Sequence, residues 1–237
     1  MPVFTFANTK GGAGKTTAVM ILACELVRRN YPVTIIDADP RGWISRWYDM
    51  SDLPAERLDV IYDVTEDTIE AIVAEARQRD GIVIIDLPSI HDALLAKSVG
   101  LADHVFIPVQ GCAMDAAGGA DILDLLHELE LGCGIHIPHS VVLNRVNAAV
   151  TTRALQAARS FLIDRHVPVM ETPLTERAAY RDIFDRGGLL HDLDPAQVSN
   201  LAKALENGGR FVDEILTLAA IPSRSATSER MPQQHAA

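Results

Sequence analysis

The sequence has 237 residues, of which 48% are hydrophobic and 22% are charged; this length allows one large or two small domains, and this composition excludes a disordered or low-complexity chain. The 32 acidic residues outnumber the 21 basic ones, for a net charge of −11, which excludes a uniformly basic surface and limits any DNA contact to a local patch. The three separate cysteines indicate neither a disulfide framework nor a zinc site, and no run is apolar for long enough to cross a membrane. With no leader pattern at the N-terminus, we expect a cytoplasmic protein without a membrane partner.

Short β-branched runs alternate with stretches of helical length along most of the chain. The predicted strands cover residues 3–7, 32–37, 58–63, 81–88, 104–109 and 139–146. Nearly continuous apolar strands separated by helices predict an α/β fold with a doubly wound, mostly parallel sheet and helices on both faces. After Asn144 the pattern is mostly helical, and the end of the chain is rich in Ser, Pro and Gln. We therefore expect one domain over residues 1–221 and a flexible tail over residues 222–237.

The first predicted strand leads directly into a glycine-rich run, TKGGAGKTT at residues 9–17. Glycines without a Cβ allow backbone N–H groups to surround a phosphate, Lys15 would neutralise its charge, and the Thr16 hydroxyl can ligate Mg²⁺ at the start of the next helix. Thr9 stands where the common pattern GxxxxGK[ST] has glycine, so the loop is the variant KGGxGK[ST]T. The alternative, a turn that only connects strand and helix, does not require the lysine and threonine at these positions. The loop predicts binding of a nucleoside triphosphate.

In this loop the chain resembles the deviant Walker A ATPases of the ParA/MinD family, which are P-loop NTPases. In that family an additional lysine reaches across a dimer interface to the partner's nucleotide, and the resemblance assigns this role to Lys10. It implies ATP and Mg²⁺ as cofactors, a slow ATPase stimulated by a partner protein, and a homodimer in the ATP state. Lys10 and Lys15 are then catalytic as well as nucleotide-binding. The loop residues implied to bind the nucleotide are Lys10, Gly11, Gly12, Ala13, Gly14, Lys15, Thr16 and Thr17.

Acidic residues follow two of the predicted strands: Asp37 and Asp39 at the second, and Asp86 at the fourth. Doubly wound folds bind ligands at the carboxyl ends of their strands, and carboxylates beside a phosphate loop suit Mg²⁺ and water. The resemblance assigns to Asp39 the positioning of the attacking water, and places Asp37 and Asp86 with Thr16 at the metal. Alternatively, Asp37 and Asp39 are ordinary turn or cap residues. Partition proteins of the family commonly have glutamine where this chain has Arg41.

The sixth predicted strand ends in Asn144, whose amide offers a donor and an acceptor suited to an adenine edge. ParA-like proteins place an asparagine here for the base and close the pocket with a later proline-containing loop, which here looks like the segment around Pro173. The alternative is that Asn144 is a strand-end turn residue. Residues 173–187 look closest to small ParA-like ATPases of plasmid partition and of conjugative or T-DNA transfer.

Residues 145–186 form the one net-positive segment, with seven basic and five acidic residues (7 − 5 = +2). Guanidinium groups suit phosphate contacts, so the segment is a candidate for nonspecific DNA binding. The alternative is a set of solvated helix faces whose arginines pair with neighbouring acids. The candidate DNA-binding residues are Arg145, Arg153, Arg177 and Arg181.

The resemblance implies an ATPase that dimerises on ATP, binds DNA or a partner protein or both, and hydrolyses ATP to segregate or position plasmid or chromosomal DNA or a transfer complex. A ParB-like or other stimulating adaptor, and association with the nucleoid, are implied with it. Two alternatives stay open: a MinD-like ATPase at a membrane surface, and an ATPase that positions a protein cargo without DNA. The first needs a basic amphipathic helix, whereas residues 210–220 carry Phe211, Ile215 and Leu218 beside Asp213 and Glu214.

Overall fold

A computed structural model describes residues 1–110, 113–146, 156, 159–160, 162–163 and 166–222, with only the backbone described at 113–117. Arg153, most of the other residues in 151–165, and residues 223–237 of the predicted tail lie outside the described residues.

Six parallel strands form one sheet in the order β3-β2-β4-β1-β5-β6. The described helices and the sheet confirm the doubly wound α/β class that the sequence predicts. Every predicted strand is present, and β1, β2 and β4 are buried along their whole length because helices cover both faces. The strands are β1 (Val3–Phe6), β2 (Val33–Asp37), β3 (Leu58–Ile61), β4 (Ile82–Asp86), β5 (His104–Gln110) and β6 (His139–Asn144).

The sheet divides the core into two layers, and helices cover each of them. Successive residues of a strand point to opposite faces, so Phe4 and Phe6 pack into one layer while Val3 packs into the other. The helices whose bounds the structure describes are α1 (Lys15–Arg28), α2 (Trp43–Asp49), α3 (Ile69–Ala76), α4 (Ala93–Gly100), α5 (Ala113–Cys133), α6 (Ala179–Arg186) and α7 (Leu201–Leu218), with a 3-10 turn at Leu190–Asp192. Buried residues of α1, α2, α6 and α7 belong to the first layer, and those of α3, α4 and α5 to the second.

The sheet order brings three strand ends together. Strand β1, which leads into the glycine-rich loop, lies beside β4, and β4 lies beside β2. Because the strands are parallel, Asp37 at the end of β2 and Asp86 at the end of β4 are register partners at the same edge. The sheet therefore places the loop and both carboxylates in one neighbourhood.

Helix α7 packs its apolar side into the core. Phe211 and Ile215 are fully buried, and Leu218 is exposed. The Glu214 carboxylate accepts hydrogen bonds from the backbone N–H groups of Glu171 and Thr172, at 2.7 and 2.8 Å. The apolar side of this helix, which a membrane-surface ATPase would use for membrane binding, is thus largely buried in the core. Among the described helices, none has the length and apolarity needed to cross a bilayer.

Candidate functional site

The glycine-rich loop is held in shape by Asn144. Gly12 and Gly14 have φ angles of +81° and +90°, a region that glycine occupies without strain. The Asn144 amide nitrogen donates to the carbonyl oxygens of Ala13 and Gly14, at 3.0 and 3.1 Å. A Cβ at Gly14 would lie 2.1 Å from that nitrogen. The structure thus shows Asn144 bracing the phosphate loop, and adenine recognition by this residue stays a prediction.

Two residues that the sequence analysis missed fix the start of the loop. The Asn8 side chain donates to the Pro108 carbonyl at 2.7 Å and accepts from the Lys10 backbone N–H at 2.8 Å. Helix α5 passes so close that a Cβ at Gly118 would lie 2.3 Å from the Asn8 amide oxygen and 2.8 Å from the Lys10 Cβ. The only signal in the sequence is the pair Gly118–Gly119 inside a helix, where glycine is costly unless a close approach requires it.

Lys15, the predicted catalytic lysine of the loop, is almost fully buried at the start of α1. Its ammonium donates to the Asn8 carbonyl oxygen at 3.0 Å and to the Ser89 hydroxyl. Burial lowers the pKa of Lys15, and the nearby charges of Asp86 and Asp39 oppose that shift. A buried cation held in this way is a fixed positive charge at which an anion can bind.

A cavity of about 180 Å³ opens between the loop and the neighbouring strand ends. Its lining combines the loop with residues that follow β2, β4 and β6. It is lined by Gly12, Gly14, Lys15, Thr16, Thr17, Arg41, Trp43, Ser89 and Arg145. Three basic side chains in this lining suit a polyanion such as a triphosphate. We refer to it as the phosphate cavity.

The predicted metal ligands lie together, and their oxygens fit Mg²⁺. The Asp37 Oδ2 accepts from the Ser45 backbone N–H at 2.9 Å and from its hydroxyl at 2.6 Å. The Asp37 Oδ1 and both oxygens of Asp86 are buried with no hydrogen-bond partner among the described residues. Three such carboxylate oxygens near the Thr16 hydroxyl form the hard oxygen donor set that Mg²⁺ prefers.

Burial dominates the electrostatics of these two carboxylates. It raises the pKa of Asp86 to about 7. The nearby Thr16 hydroxyl partly offsets this increase, although neither Asp86 oxygen has a hydrogen-bond partner of normal geometry among the described residues. Burial also raises the pKa of Asp37, and the bonds from Ser45 oppose the shift. A cation placed here would supply the charge that these groups lack.

Asp39, the predicted water-positioning residue, is buried and paired with Arg41. The Asp39 Oδ2 accepts from Arg41 Nη2 at 2.8 Å, and its Oδ1 accepts from the Arg41 backbone N–H at 3.0 Å and from Nε at 3.2 Å. Burial alone would raise the pKa of Asp39, but the bonds and charge of Arg41 hold it below its usual value. In this structure Arg41 occupies the carboxylate to which the family resemblance assigns the positioning of water.

The residues predicted to surround the base lie in two neighbouring cavities. Asn144 lines a cavity of about 30 Å³, whereas Pro173 lines another of about 280 Å³. Thr175 and Arg177 belong to the lining of both. The larger cavity is also lined by Lys203 and Arg210, which we call, together with Arg177, the basic cluster.

Three of the predicted DNA-binding arginines, Arg145, Arg177 and Arg181, line the small cavity that Asn144 also lines, and each has further contacts of its own. Arg145, with a φ of +53°, lines the phosphate cavity, where it could contact a nucleotide. Arg177 belongs to the basic cluster, and its Nε is buried with no partner in the part of the chain that is described. Arg181 is exposed and pairs with Glu176 at 2.9 Å. DNA contact by these residues stays a prediction.

Comparisons with known proteins identify relatives of the sequence and of the fold. The sequence profile of the family described as VirC1 protein matches residues 1–224. The protein ParA of Rhizobium radiobacter is 35% identical over 89% of this chain and 94% of its own length. Maintenance of carboxysome distribution protein A of Halothiobacillus neapolitanus is 28% identical over 76% of this chain and 82% of its own. The fold is similar to an ATP complex of Cyanothece McdA, with a TM-score of 0.69 and 17% identity over 91% of this chain and 96% of that one.

Proposed function

The chain belongs to the VirC1 family of ParA/MinD-type ATPases, and from this premise we propose that residues 1–221 form one domain that binds and slowly hydrolyses ATP with Mg²⁺. In this proposal ATP drives a homodimer, the dimer binds DNA nonspecifically at the nucleoid, and an adaptor protein stimulates hydrolysis. The cycle would segregate or position a plasmid, a chromosomal region or a DNA transfer complex. The name of a Thermus thermophilus relative, a chromosome-partitioning ATPase, agrees with a DNA cargo.

One observation carries the ATPase proposal: a buried lysine and three unpartnered buried carboxylate oxygens meet at a glycine-rich loop. Lys15 and the loop N–H groups would bind the phosphates. Asp37, Asp86 and the Thr16 hydroxyl would hold Mg²⁺, which when bound offsets the negative charge of the reacting phosphates. Without a cation, the burial of these carboxylates is unfavourable, and the bonds from Ser45 and the nearby Thr16 hydroxyl offset it only in part.

Asp39 and Lys10 complete the proposed reaction. Asp39 would orient the attacking water, since it lies just beyond the end of β2, and burial fixes its position. Lys10 would reach the nucleotide of a second protomer. The tight packing of Gly118 of α5 against Asn8 and Lys10 fixes the backbone from which this lysine extends.

The basic cluster supports the DNA part of the proposal. Arg177, Lys203 and Arg210 line a cavity in which Glu206 is the acidic member of the described lining. A group of cations on an otherwise acidic protein gives the local patch that a phosphate backbone requires.

The two alternatives differ in their support. Positioning of a protein cargo without DNA agrees with the name of the Halothiobacillus relative, which refers to carboxysome distribution. A membrane-surface ATPase is less well supported, because Phe211 and Ile215 are buried and Glu214 bonds to the backbone at 171–172.

Sedimentation velocity and DNA binding, measured together, test the proposal. The protein should be a monomer with ADP, and with a non-hydrolysable ATP analogue a dimer that binds DNA of unrelated sequence. Lys10→Ala should stay a monomer. Lys203→Ala should dimerise but bind DNA weakly, because it removes one cation of the basic cluster.

Lys97→Ala is the matched control, since Lys97 pairs with Glu70 at 3.4 Å and is not part of either cavity. It should behave as wild type in both assays. A dimer that ignores DNA would transfer the function to a protein cargo or, if it sediments with anionic vesicles, to a membrane. A monomer that is indifferent to nucleotide would refute the proposal.

A further inference from the structure

The pair of Asp39 and Arg41 joins a fixed group to an exposed one. The Asp39 side chain is 4% exposed, whereas that of Arg41 is 60% exposed. Three nitrogen atoms of Arg41 bond to the two carboxylate oxygens, at 2.8 to 3.2 Å. As long as these bonds persist, the carboxylate has little capacity left to accept a bond from water.

The guanidinium is the solvated member of this pair, so water can replace its hydrogen bonds when it leaves the carboxylate. The Asp39 carboxylate is buried and needs a replacement donor once the guanidinium has left, which the water that Asp39 would orient can supply. The backbone N–H of Arg41 keeps its own bond to Asp39 Oδ1 at 3.0 Å, so the loop conformation does not depend on the side chain. Arg41 is therefore a movable cation on a fixed backbone.

Arg41 also lines the phosphate cavity, together with Lys15, Thr16 and Ser89. The side chain thus has two anionic partners within its reach: the carboxylate that it bonds now, and any phosphate group that enters the cavity. The planar guanidinium fork fits the oxygens of either group in a bidentate manner. A terminal phosphate carries more negative charge than one carboxylate, so it competes effectively for the arginine.

We propose that Arg41 exchanges Asp39 for the terminal phosphate of bound ATP and thereby acts as a catalytic arginine supplied by the chain itself. This proposal rests on the proposed function, which assigns ATP hydrolysis to the phosphate cavity. The exchange has two effects. It places a guanidinium on the phosphate oxygens where negative charge must be stabilised, and it releases Asp39 to hold water only when a triphosphate is present.

The released carboxylate acts on one water molecule. The water oxygen forms a bond to the terminal phosphorus, the bond from that phosphorus to the bridging oxygen of ADP breaks, and the water proton passes through Asp39 to solvent. After inorganic phosphate has left, ADP leaves the γ-phosphate position empty, so Arg41 returns to Asp39. The pair therefore discriminates the triphosphate from the diphosphate.

Nucleotide titration and phosphate release on Arg41→Ala, Arg41→Lys and wild type test this exchange. In Arg41→Ala the affinity for a non-hydrolysable ATP analogue should fall about tenfold, with ADP affinity unchanged. The kcat should fall by about 10²-fold or more, since arginines in this role contribute at least that much. Arg41→Lys, which keeps the charge but loses the fork, should be intermediate.

Arg79→Ala is the matched control, because Arg79 forms a similar half-exposed pair with Asp59 at 2.7 Å on β3. It should change neither quantity. A kcat in Arg41→Ala at or above wild type would overturn the proposal, since Arg41 would then only restrain Asp39. An equal loss of affinity for both nucleotides would also overturn it, because no contact specific to the terminal phosphate would exist.

Failure of the proposed function gives a different pattern. Wild type would then bind neither nucleotide, which overturns both proposals, or Asp39→Ala would hydrolyse ATP as fast as wild type, which removes the role of Asp39 alone. In the second case the ratio of the affinities for the ATP analogue and for ADP still tests the contact of Arg41 with the terminal phosphate of ATP. This ratio should be larger in wild type than in Arg41→Ala.

Discussion

At the end of β4, Asp86 is buried with neither carboxylate oxygen bonded to any described residue, whereas Asp39, just past the end of the neighbouring β2, has both oxygens bonded to Arg41. Burial raises the pKa of Asp86 to about 7, and it would raise that of Asp39 too, but Arg41 reverses the direction. Two aspartates at one sheet edge thus differ in their burial and in whether the chain supplies a hydrogen-bonded cation.

The difference shows what each strand end lacks. Asp86 lacks a positive charge, which an incoming metal ion would supply. Asp39 already has one, supplied by the chain, and in the proposed exchange it loses this cation before it acts on water. Binding of ATP with Mg²⁺ would therefore change the positive charge near the two carboxylates in opposite senses. Asp86 would gain a metal ion, and Asp39 would lose the guanidinium of Arg41.

The largest expected effect comes from Asp86→Asn. Loss of the proposed metal ligand should lower the rate of ATP hydrolysis by about 10²-fold or more. The same change should raise the Tm of the nucleotide-free protein at about pH 8, because it removes a buried unpaired charge. Phosphate release in the presence of Mg²⁺ measures the first effect. Thermal unfolding in the presence of a chelator measures the second.

Asp59→Asn is the control for this pair of measurements, since Asp59 is satisfied by Arg79 at 2.7 Å. It should leave hydrolysis unchanged and should not raise the Tm. If Asp86→Asn lowers the Tm and keeps the ATPase rate, Asp86 is a structural residue and the contrast with Asp39 has no functional meaning.

The pH dependence of stability should separate the two aspartates next. A folded pKa of about 7 for Asp86, above the unfolded value of about 3.9, means that the folded state binds the proton more tightly. Its contribution to the free energy of unfolding is therefore lost as pH rises between these values and is constant above about pH 7. The lowered pKa of Asp39 gives the opposite sign, a contribution that is lost only as pH falls below about 4.

The readout is the difference in unfolding free energy between wild type and Asp86→Asn at about pH 5.5 and about pH 8. A comparison between proteins is needed because burial lowers the pKa of His104 to about 4, which makes stability rise with pH in the same range. The free energy of unfolding of Asp86→Asn, relative to that of wild type, should increase as pH rises. A difference that is independent of pH would show that Asp86 is not protonated in the folded state at low pH.

The smallest effect is expected from Ser45→Ala, which makes Asp37 resemble Asp86 more closely. It removes the hydroxyl bond of 2.6 Å to Asp37 Oδ2 and leaves the backbone bond of 2.9 Å. The free energy of unfolding should fall by about 1.5–3 kcal/mol, as expected for loss of a hydrogen bond to a charged group. Urea denaturation measures this, with the exposed Ser199→Ala as the variant that should show no change.

The sequence predicted the strands and the loop because both depend on local patterns. Apolar runs broken by helices define β1 to β6, and the spacing of Lys10, Lys15 and Thr16 is itself the motif. The order of the strands was not predicted, but the meeting of Asp37 and Asp86 at one edge followed from the parallel class.

The side-chain pairings could not be predicted in the same way. The bond of Arg41 to Asp39 depends on one rotamer, and the sequence showed only an unusual residue at position 41. The bracing of the loop by Asn144 joins residues 130 and 131 positions apart, and the approach of Gly118 to Asn8 joins two elements across the sheet edge. Such contacts depend on tertiary packing, on which composition and periodicity carry no information.

Helix α2 places the two tryptophans of the chain in contrasting environments. Trp47 is fully buried and its indole N–H donates to the Gly188 carbonyl at 3.0 Å, whereas Trp43 is 49% exposed, lines the phosphate cavity and lies 5.5 Å from the Arg46 guanidinium. Indole emission depends on solvent contact. The emission of buried Trp47 should therefore stay constant, whereas that of exposed Trp43 should change when a ligand enters the phosphate cavity. Occupancy of the cavity can therefore be followed by intrinsic fluorescence, with no dye and no engineered label.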